Sequence, residues 1–309
     1  MKFVQRFVIA CSGVLAAAGC GEDSTTSIVR TFGPPGVASL VAGANTVRIS
    51  WGPSGFEGAG DFRGYNVYLD VAPVAGNDDP AFLSTRLANT SPVLANTFTV
   101  SSTAGGGSLQ QGTRYYFHVR TVHANGSLST ASNELDTSPR PEGNNGSDPS
   151  QLMYDYDSLT PTKSGYGWNV STGQGVAYST VASNDALIDI TMAEEANSPD
   201  DGSLMLSPSV AAFTAGWTQR NRTLFKDLGA GEAAWETPIP PDPATMLESV
   251  KLLEDHTYAI LTYDLHWVKL RVTQLMKNVD VQRTGGGTVR LNYARFTFAV
   301  QLIQGYARF

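Results

Sequence analysis

The stretch Leu109-Gln-Gln-Gly-Thr-Arg-Tyr-Tyr-Phe-His-Val-Arg-Thr-Val122 decides the fold of the first half of the chain. Its polar start is a turn, and the run after that turn alternates between two faces. One face takes Tyr115, Phe117 and Val119, and the other takes Tyr116, His118 and Arg120. A period of two over aromatic and β-branched residues is typical of a β-strand with one buried face. We therefore expect the first set in a core and His118 on an outward, solvated face.

The sequence around this strand has the same character. Short alternating runs separated by turns lie at residues 37–40, 46–51, 64–69, 96–100 and 128–135. The pair Asn125-Gly126 stands between two such runs, which is a strong signal for a β-hairpin. Roughly six or seven short strands over about a hundred residues are typical of an immunoglobulin-like β-sandwich.

The order of these residues over 34–140 resembles that of a fibronectin type III domain. The matching positions are Pro35, Leu40, Trp51, Gly64, Tyr65, Val67, the corner from Leu109 to Tyr115, and Ser132 to Glu134. The resemblance implies that Trp51 packs at the centre of the core. It also implies that Tyr115 forms a tyrosine corner, in which the hydroxyl is bonded to upstream backbone. Such domains are spacers or protein-interaction modules.

Composition extends this interpretation to the whole chain. The length of 309 residues suits two domains, and 41% hydrophobic with 16% charged residues is enough for packed cores. The 31 glycines and 16 prolines favour β modules with many turns. The predicted fold class is all-β, with the immunoglobulin-like sandwich followed by a second β-rich domain at 151–309. The polar residues 141–150 between them are predicted to be a flexible linker.

The N-terminus has the pattern of an export signal. Lys2 and Arg6 precede a short apolar run, and the small residues Ala17-Ala18-Gly19 stand directly before Cys20. This triplet resembles the bacterial lipobox, which implies that residues 1–19 are removed and that Cys20 is lipidated. Residues 20–33 would then be an anchor and tether, holding an exported protein at a bacterial membrane, at the outer membrane or cell surface. An ordinary signal peptide with an unmodified Cys20 stays open as the alternative.

Cysteine usage and charge exclude several classes of function. Cys11 lies in the segment predicted to be removed, and the thiol of Cys20 is predicted to carry the lipid. The mature chain would then have no free thiol, which excludes cysteine catalysis and disulfides. Removal of Lys2 and Arg6 leaves 21 − 2 = 19 basic residues against 28 acidic ones, a net charge of −9. An acidic chain of this kind is not expected to bind nucleic acid.

The second domain contains a clear hairpin, from His256 to Thr273. With the preceding Ile188-Asp189-Ile190 and residues 225–228, it resembles the HmuY-like haem-binding β-proteins of bacterial surface lipoproteins. That resemblance implies haem as a ligand, although the family's histidine pairs have no residue-by-residue match in this sequence. The candidate ligand-binding residues of the hairpin are His256, His266 and Trp267. The two histidines flank the hairpin from opposite ends, whereas bis-histidine ligation needs two imidazoles on opposite sides of one haem plane. The sequence therefore favours no cofactor and no metal, with haem as an option.

Motifs for catalysis are missing from the sequence. It lacks a nucleophile elbow, a zinc-protease motif, a phosphate-binding loop and a dinucleotide-binding fingerprint. The prediction is a non-catalytic binding or structural role, in which the second domain binds a protein, glycan or haem ligand. The alternative is a carbohydrate-binding accessory protein or a hydrolase acting on polysaccharide. Asp185 with Asp189 is a carboxylate pair that the sequence does not place around a glycosidic bond. Scattered aromatics such as Trp168 fit a sugar-stacking platform and core packing equally well.

Overall fold

The computed structural model describes residues 33–36, 39–196, 201–239 and 242–309. The predicted signal peptide, the predicted lipidation site Cys20 and nearly all of the predicted tether lie outside the described residues. In the described ranges the regular structure is almost entirely β-strand, with two short α-helices and four 3-10 helices, which confirms the predicted all-β fold class. No helix in these ranges is long and apolar enough to cross a membrane.

The first sandwich is made of two antiparallel sheets. Its strands are β1 (Ser39–Ala42), β2 (Val47–Ser50), β3 (Phe62–Asp70), β4 (Thr97–Val100), β5 (Tyr115–His123) and β6 (Leu135–Thr137). One sheet has the order β1-β2-β4 and the other β3-β5-β6. A short helix, α1 (Pro80–Ser84), lies in the connection between β3 and β4.

The core of this sandwich confirms two expectations. Trp51 is buried, and its ring meets Tyr65 edge to face with the centroids 5.3 Å apart. The hydroxyl of Tyr115 accepts a hydrogen bond from the backbone N–H of Gln110 at 3.1 Å, which is the expected corner. Tyr115, Phe117 and Val119 are all buried in one cluster. The face of β5 predicted to point inward therefore does so.

The expectation for the outward face of β5 was wrong. His118 is fully buried, because the connection between β3 and β4 folds over it. Its ring stacks on Tyr68 at 5.0 Å, and the Nε of Arg120 donates to its Nε2 at 3.2 Å. Arg120 in turn donates to the carbonyl of Asn77 and pairs with Asp78 at 2.7 Å. Burial, and then the charge of Arg120, lower the pKa of His118 to about 3, so the imidazole is neutral.

The second sandwich is also made of two antiparallel sheets, and it contains the two longest strands of the described ranges, of 16 and 13 residues. Its strands are β7 (Glu142–Asn144), β8 (Met153–Tyr154), β9 (Gly165–Asn169), β10 (Gln174–Tyr178), β11 (Ile190–Glu194), β12 (Ser203–Leu206), β13 (Leu224–Ala230), β14 (Ser249–Leu252), β15 (His256–Leu261), β16 (Trp267–Gln282) and β17 (Thr288–Val300). One sheet has the order β10-β9-β11-β12-β14, and the other β13-β15-β16-β17-β7, with β8 also paired to β17. The helix α2 (Glu232–Glu236) follows β13, and short 3-10 helices lie at Pro149–Gln151, Ala182–Leu187, Ala212–Thr214 and Pro243–Thr245.

A single hydrophobic cluster fills the space between these two sheets. Tyr166 of β9 meets Phe296 of β17 edge to face at 4.9 Å, which joins the sheets at the centre of the cluster. The predicted hairpin is confirmed as β15 and β16, with Ile260 opposite Val268. The β16–β17 ladder shifts register between Val272 and Gln274, so a β-bulge occurs there.

The predicted flexible linker at 141–150 is not one. Strand β7 pairs with β17, and the side chain of Asn145 is fully buried. Asn145 accepts from the N–H of Phe296 at 2.7 Å and donates to the carbonyl of Ala294 at 3.1 Å. Next along the chain, the carboxylate of Asp148 caps the 3-10 helix that begins at Pro149. The polar composition misled the prediction, because these polar groups satisfy backbone at the edge of a sheet.

The connection between the sandwiches is also buried. Arg140 is only 1% exposed, donates to the carbonyl of Ala42 in β1, and holds its guanidinium 4.9 Å from the ring centroid of Phe309. The C-terminal segment reaches the first sandwich a second time, where the hydroxyl of Tyr306 donates to Asp136 at 2.5 Å. All described residues accordingly fall in one compact unit, although each sandwich has its own core.

Candidate ligand-binding cleft

A cleft of about 380 Å³ opens at one end of the second sandwich. Loops and strand ends from three separate parts of the chain meet there. The lining residues are Trp168, Asn169, Tyr178, Ala186, Leu187, Asp189, Gln219, Asn221, Tyr263 and Asp264. Its size is within the range of small-molecule sites.

Asp189 lies in this cleft because of two backbone contacts with β9. Its N–H donates to the carbonyl of Tyr166 at 2.9 Å, and its Oδ2 accepts from the N–H of Trp168 at 2.9 Å. Close packing requires glycine at position 167, since a Cβ there would lie 1.9 Å from the carbonyl oxygen of Leu187. Asp189 is partly exposed, and no described residue donates a hydrogen bond to its Oδ1.

Amide side chains form a second wall. Asn221 donates to the carbonyl of Ile188 at 2.9 Å and accepts from the side-chain amide of Gln219 at 2.8 Å. Asp185 stands behind this wall, where it accepts from the N–H groups of Thr218 and Gln219. Asp185 therefore has a structural role at this loop, and the predicted Asp185–Asp189 pair is not a pair of facing carboxylates.

The turn between β15 and β16 supplies the third wall. Thr262 donates its hydroxyl to Asp264 Oδ1 at 2.5 Å, and Gln304 donates to the carbonyl of Asp264 at 2.8 Å. Leu265 takes a left-handed conformation with φ of 65°, which tightens the turn. The turn leaves Tyr263 59% exposed, so its ring is free to contact a ligand.

The electrostatics of the cleft are acidic. Burial raises the pKa of the Asp189 carboxyl to about 7, the hydrogen bond from Trp168 opposes this, and the charge of Asp264 adds to it. None of the lining residues is Lys, Arg or His. The site therefore presents two carboxyl groups beside aromatic rings and amides, with no basic side chain to neutralise them.

The residues predicted as ligand contacts lie elsewhere. His256 begins β15 and its Nδ1 is 2.9 Å from the carboxylate of Asp227, whereas His266 is buried and has its Nδ1 3.0 Å from the carbonyl of Gln301. The six-residue strand between them spans about 20 Å at roughly 3.3 Å per residue, so the histidines are not brought together. Trp267 packs in a third hydrophobic cluster, with Leu224 among its members. Within the described ranges, no group of three or more metal-ligating side chains occurs.

The sequence pointed to only part of the cleft. Trp168 was among the scattered aromatics, and Asp189 was noted between two isoleucines that the structure buries. Other aromatics pack locally, as Tyr156 does against Phe213 at 4.0 Å, so they form no shared platform. The missed signal was an acidic residue directly before a buried strand, which is costly unless a partner or ligand compensates.

Residues 33–138 match the fibronectin type III domain family. This match confirms the resemblance predicted for 34–140, to within two residues at each end. The fibronectin type III domain is thus the first sandwich, while the resemblance of 151–309 to HmuY-like proteins stays a prediction. The comparison with curated proteins gave no match.

Solved structures similar to the chain include a myokine, at 19% identity over 35% of this chain and 98% of that chain, with a TM-score of 0.25. Titin module A71 from human cardiac muscle is 27% identical over 33% of this chain and 89% of that chain, with a TM-score of 0.23. The α-L-rhamnosidase from Dictyoglumus thermophilum is 7% identical over 87% of this chain, with a TM-score of 0.30. The chain covers only 25% of the length of that enzyme.

Proposed function

We propose that this chain is an exported, non-catalytic binding protein whose second sandwich takes a saccharide in the cleft beside Asp189. The observation that supports this best is the composition of the cleft, in which aromatic rings stand beside carboxylate and amide groups. Aromatic faces stack on the C–H faces of sugar rings, and carboxylates and amides accept hydrogen bonds from hydroxyl groups. The fibronectin type III domain serves as a fixed support, because the buried Arg140 connection leaves it docked.

A glycan array probed with the purified full chain tests this proposal. We expect binding to a saccharide that Tyr263→Ala weakens at least tenfold, because the exposed ring is lost without disturbing the core. Tyr116→Ala, in the fibronectin type III domain, is the matched control and should bind as the unmodified chain does. Absence of any glycan binding, or equal loss in both variants, would overturn the proposal.

The proposed role needs no cofactor. His256 begins β15 and His266 lies in the turn beyond its end, and the Nδ1 of each is within hydrogen-bond distance of a protein oxygen. Titration with hemin is expected to leave its Soret band unshifted. A shift at micromolar hemin that His266→Ala removes would establish haem binding instead.

Attachment to a membrane through Cys20 completes the proposal, with the protein at the outer membrane or cell surface. Its support is the lipobox-like Ala17-Ala18-Gly19 before that cysteine. Labelling of cells with radioactive palmitate is expected to mark the chain and to be lost in Cys20→Ala. Label that persists in the variant would contradict lipidation at this residue.

Hydrolysis of a polysaccharide is the second candidate function. The observation in its favour is the raised pKa of Asp189, at about 7, because a carboxyl protonated near neutral pH is able to act as a general acid. Asp264 would be the second carboxylate. Release of reducing ends from the glycan bound on the array, lost in Asp189→Asn, would establish catalysis, whereas intact glycan after prolonged incubation supports binding alone.

A further inference from the structure

Neither carboxylate of the cleft has a basic partner within the described part of the chain. By contrast, Asp136 pairs with Arg114 at 2.7 Å, and Asp157 with Arg283 at 2.6 Å. Asp155 also lacks a basic partner there, but it is 2% exposed in the core and does not line the cleft. Asp189 and Asp264 have no such partner among the described residues. The cleft therefore carries negative charge that the protein leaves uncompensated.

This arrangement is costly without a ligand. Burial disfavours the charge on Asp189, and the nearby charge of Asp264 disfavours it further. A neutral hydroxyl compensates by a hydrogen bond, but leaves the repulsion between the carboxylates. A cation compensates both, because it attracts each carboxylate, and its attraction to the less exposed Asp189 acts through a medium less polar than water.

The aromatic rings of the cleft also favour a cationic ligand. The face of an aromatic ring carries partial negative charge and attracts an ammonium group, most strongly for tryptophan. Tyr178 and Tyr263 line the cleft with the two carboxylates and are partly and largely exposed, respectively. Trp168 also lines the cleft, but it is 7% exposed and packs in the hydrophobic core. Rings and carboxylates thus favour one kind of ligand charge, and both oppose an anionic sugar such as a uronate.

We propose that the ligand of this cleft carries a cationic amine, held between the carboxylates of Asp189 and Asp264 and the ring of Tyr263. The proposal rests on the proposed binding function and names its ligand class, an amino sugar with a free amine. The amides of Gln219 and Asn221 would then face the hydroxyl groups of the same sugar.

Two matched ligand pairs test the charge and the sugar separately by calorimetric titration of the full chain. The first pair is a short oligomer of glucosamine and the same oligomer N-acetylated, which differ in amine charge. The second pair is choline and its neutral isostere 3,3-dimethylbutan-1-ol, which have the same shape and no sugar. We expect each cationic member to bind at least tenfold more tightly than its neutral partner. Asp189→Asn and Asp264→Asn should each reduce that preference at least about threefold.

The variant Asp280→Asn is the control for loss of one negative charge, since this carboxylate is 69% exposed on the β16–β17 ribbon, outside the residues that line the cleft. It should retain the full preference. Circular dichroism and thermal unfolding of each variant identify any loss of fold.

The outcomes separate the two proposals. Equal binding of the charged and acetylated oligomers would overturn the inference about charge while leaving saccharide binding intact. Binding of choline without either oligomer would support the cationic site and overturn the assignment of the ligand as an amino sugar. If all four compounds fail to bind to the folded chain, the inference about a cationic ligand fails, whereas the saccharide proposal fails only if the glycan array is also negative. A charge preference that Asp280→Asn removes equally would also overturn the inference, since it would reflect net charge alone.

Discussion

Replacement of Asp155 with Asn tests how burial of a carboxyl group sets the pH dependence of stability. Asp155 is 2% exposed inside the second sandwich. Its Oδ2 accepts from the hydroxyl of Ser203 at 3.0 Å and from the N–H of Asn292 at 3.4 Å. Its Oδ1 has no hydrogen-bond partner among the described residues. Burial outweighs those two hydrogen bonds and raises the pKa of Asp155 from 3.8 to about 7.

The magnitude follows from that difference in pKa. Between these two values the folded protein binds more protons than the unfolded chain, so the free energy of unfolding falls as pH rises. The stabilisation is complete below the unfolded pKa of 3.8 and lost by the folded pKa of about 7. The 3.2 units between them (7 − 3.8) correspond to about 4 kcal/mol at roughly 1.4 kcal/mol per unit. Asparagine has the same shape and no charge, so it removes this dependence.

Urea unfolding of both proteins provides the measurement. We expect the stability of Asp155→Asn relative to the unmodified chain to increase by about 3 kcal/mol between about pH 5 and about pH 8. Asp189 also titrates near pH 7, but it is present in both proteins and cancels in the difference. A relative stability that is the same at both pH values would refute the reasoning, because it would mean that Asp155 titrates alike in the folded and unfolded states.

Three further changes have expected outcomes in denaturant unfolding or proteolysis. Trp51→Ala should cost about 3–5 kcal/mol, because it empties the centre of the first core; a loss below about 1 kcal/mol would contradict that packing. Tyr115→Phe should cost about 1 kcal/mol through the lost bond to Gln110, and an unchanged midpoint in urea would show that the corner bond contributes nothing. Arg140→Ala should cost about 2 kcal/mol, since the carbonyl of Ala42 loses its donor. It should also make residues 138–142 more susceptible to cleavage in limited proteolysis. A cleavage rate equal to that of the unmodified chain would argue against a role for Arg140 in the connection between the sandwiches.

The first sandwich was predictable because its signals are local. Tyr115 and Trp51 occur at fixed positions in short alternating runs, and a period of two is enough to decide which face they bury. The burial of His118 was not predictable in that way. It depends on the connection between β3 and β4, whose course over the sheet is set by tertiary contacts such as the pairing of Arg120 with Asp78.

The structured connection between the sandwiches and the cleft were not predicted, for a related reason. Glu142–Asn144 is too short and polar to be read as a strand until β17 supplies its partner more than a hundred residues later. The cleft gathers Trp168, Gln219 and Tyr263 from three distant segments, and no spacing along the chain links them. Asp189 was visible in the sequence as an acidic residue beside apolar ones, but the absence of a basic partner is a property of three-dimensional neighbours.

The short strand β7 has a consequence for how the chain avoids self-association. Strand β17 pairs with β16 on one side, and β7 covers part of its other side. An uncovered strand edge is a template for pairing with another molecule, and a charged residue such as Glu142 discourages such pairing. A fragment that begins at residue 150 would expose this edge, and we expect it to form aggregates that the full chain does not form. The residues that look like a dispensable spacer thus protect the second sandwich from polymerising through its own sheet.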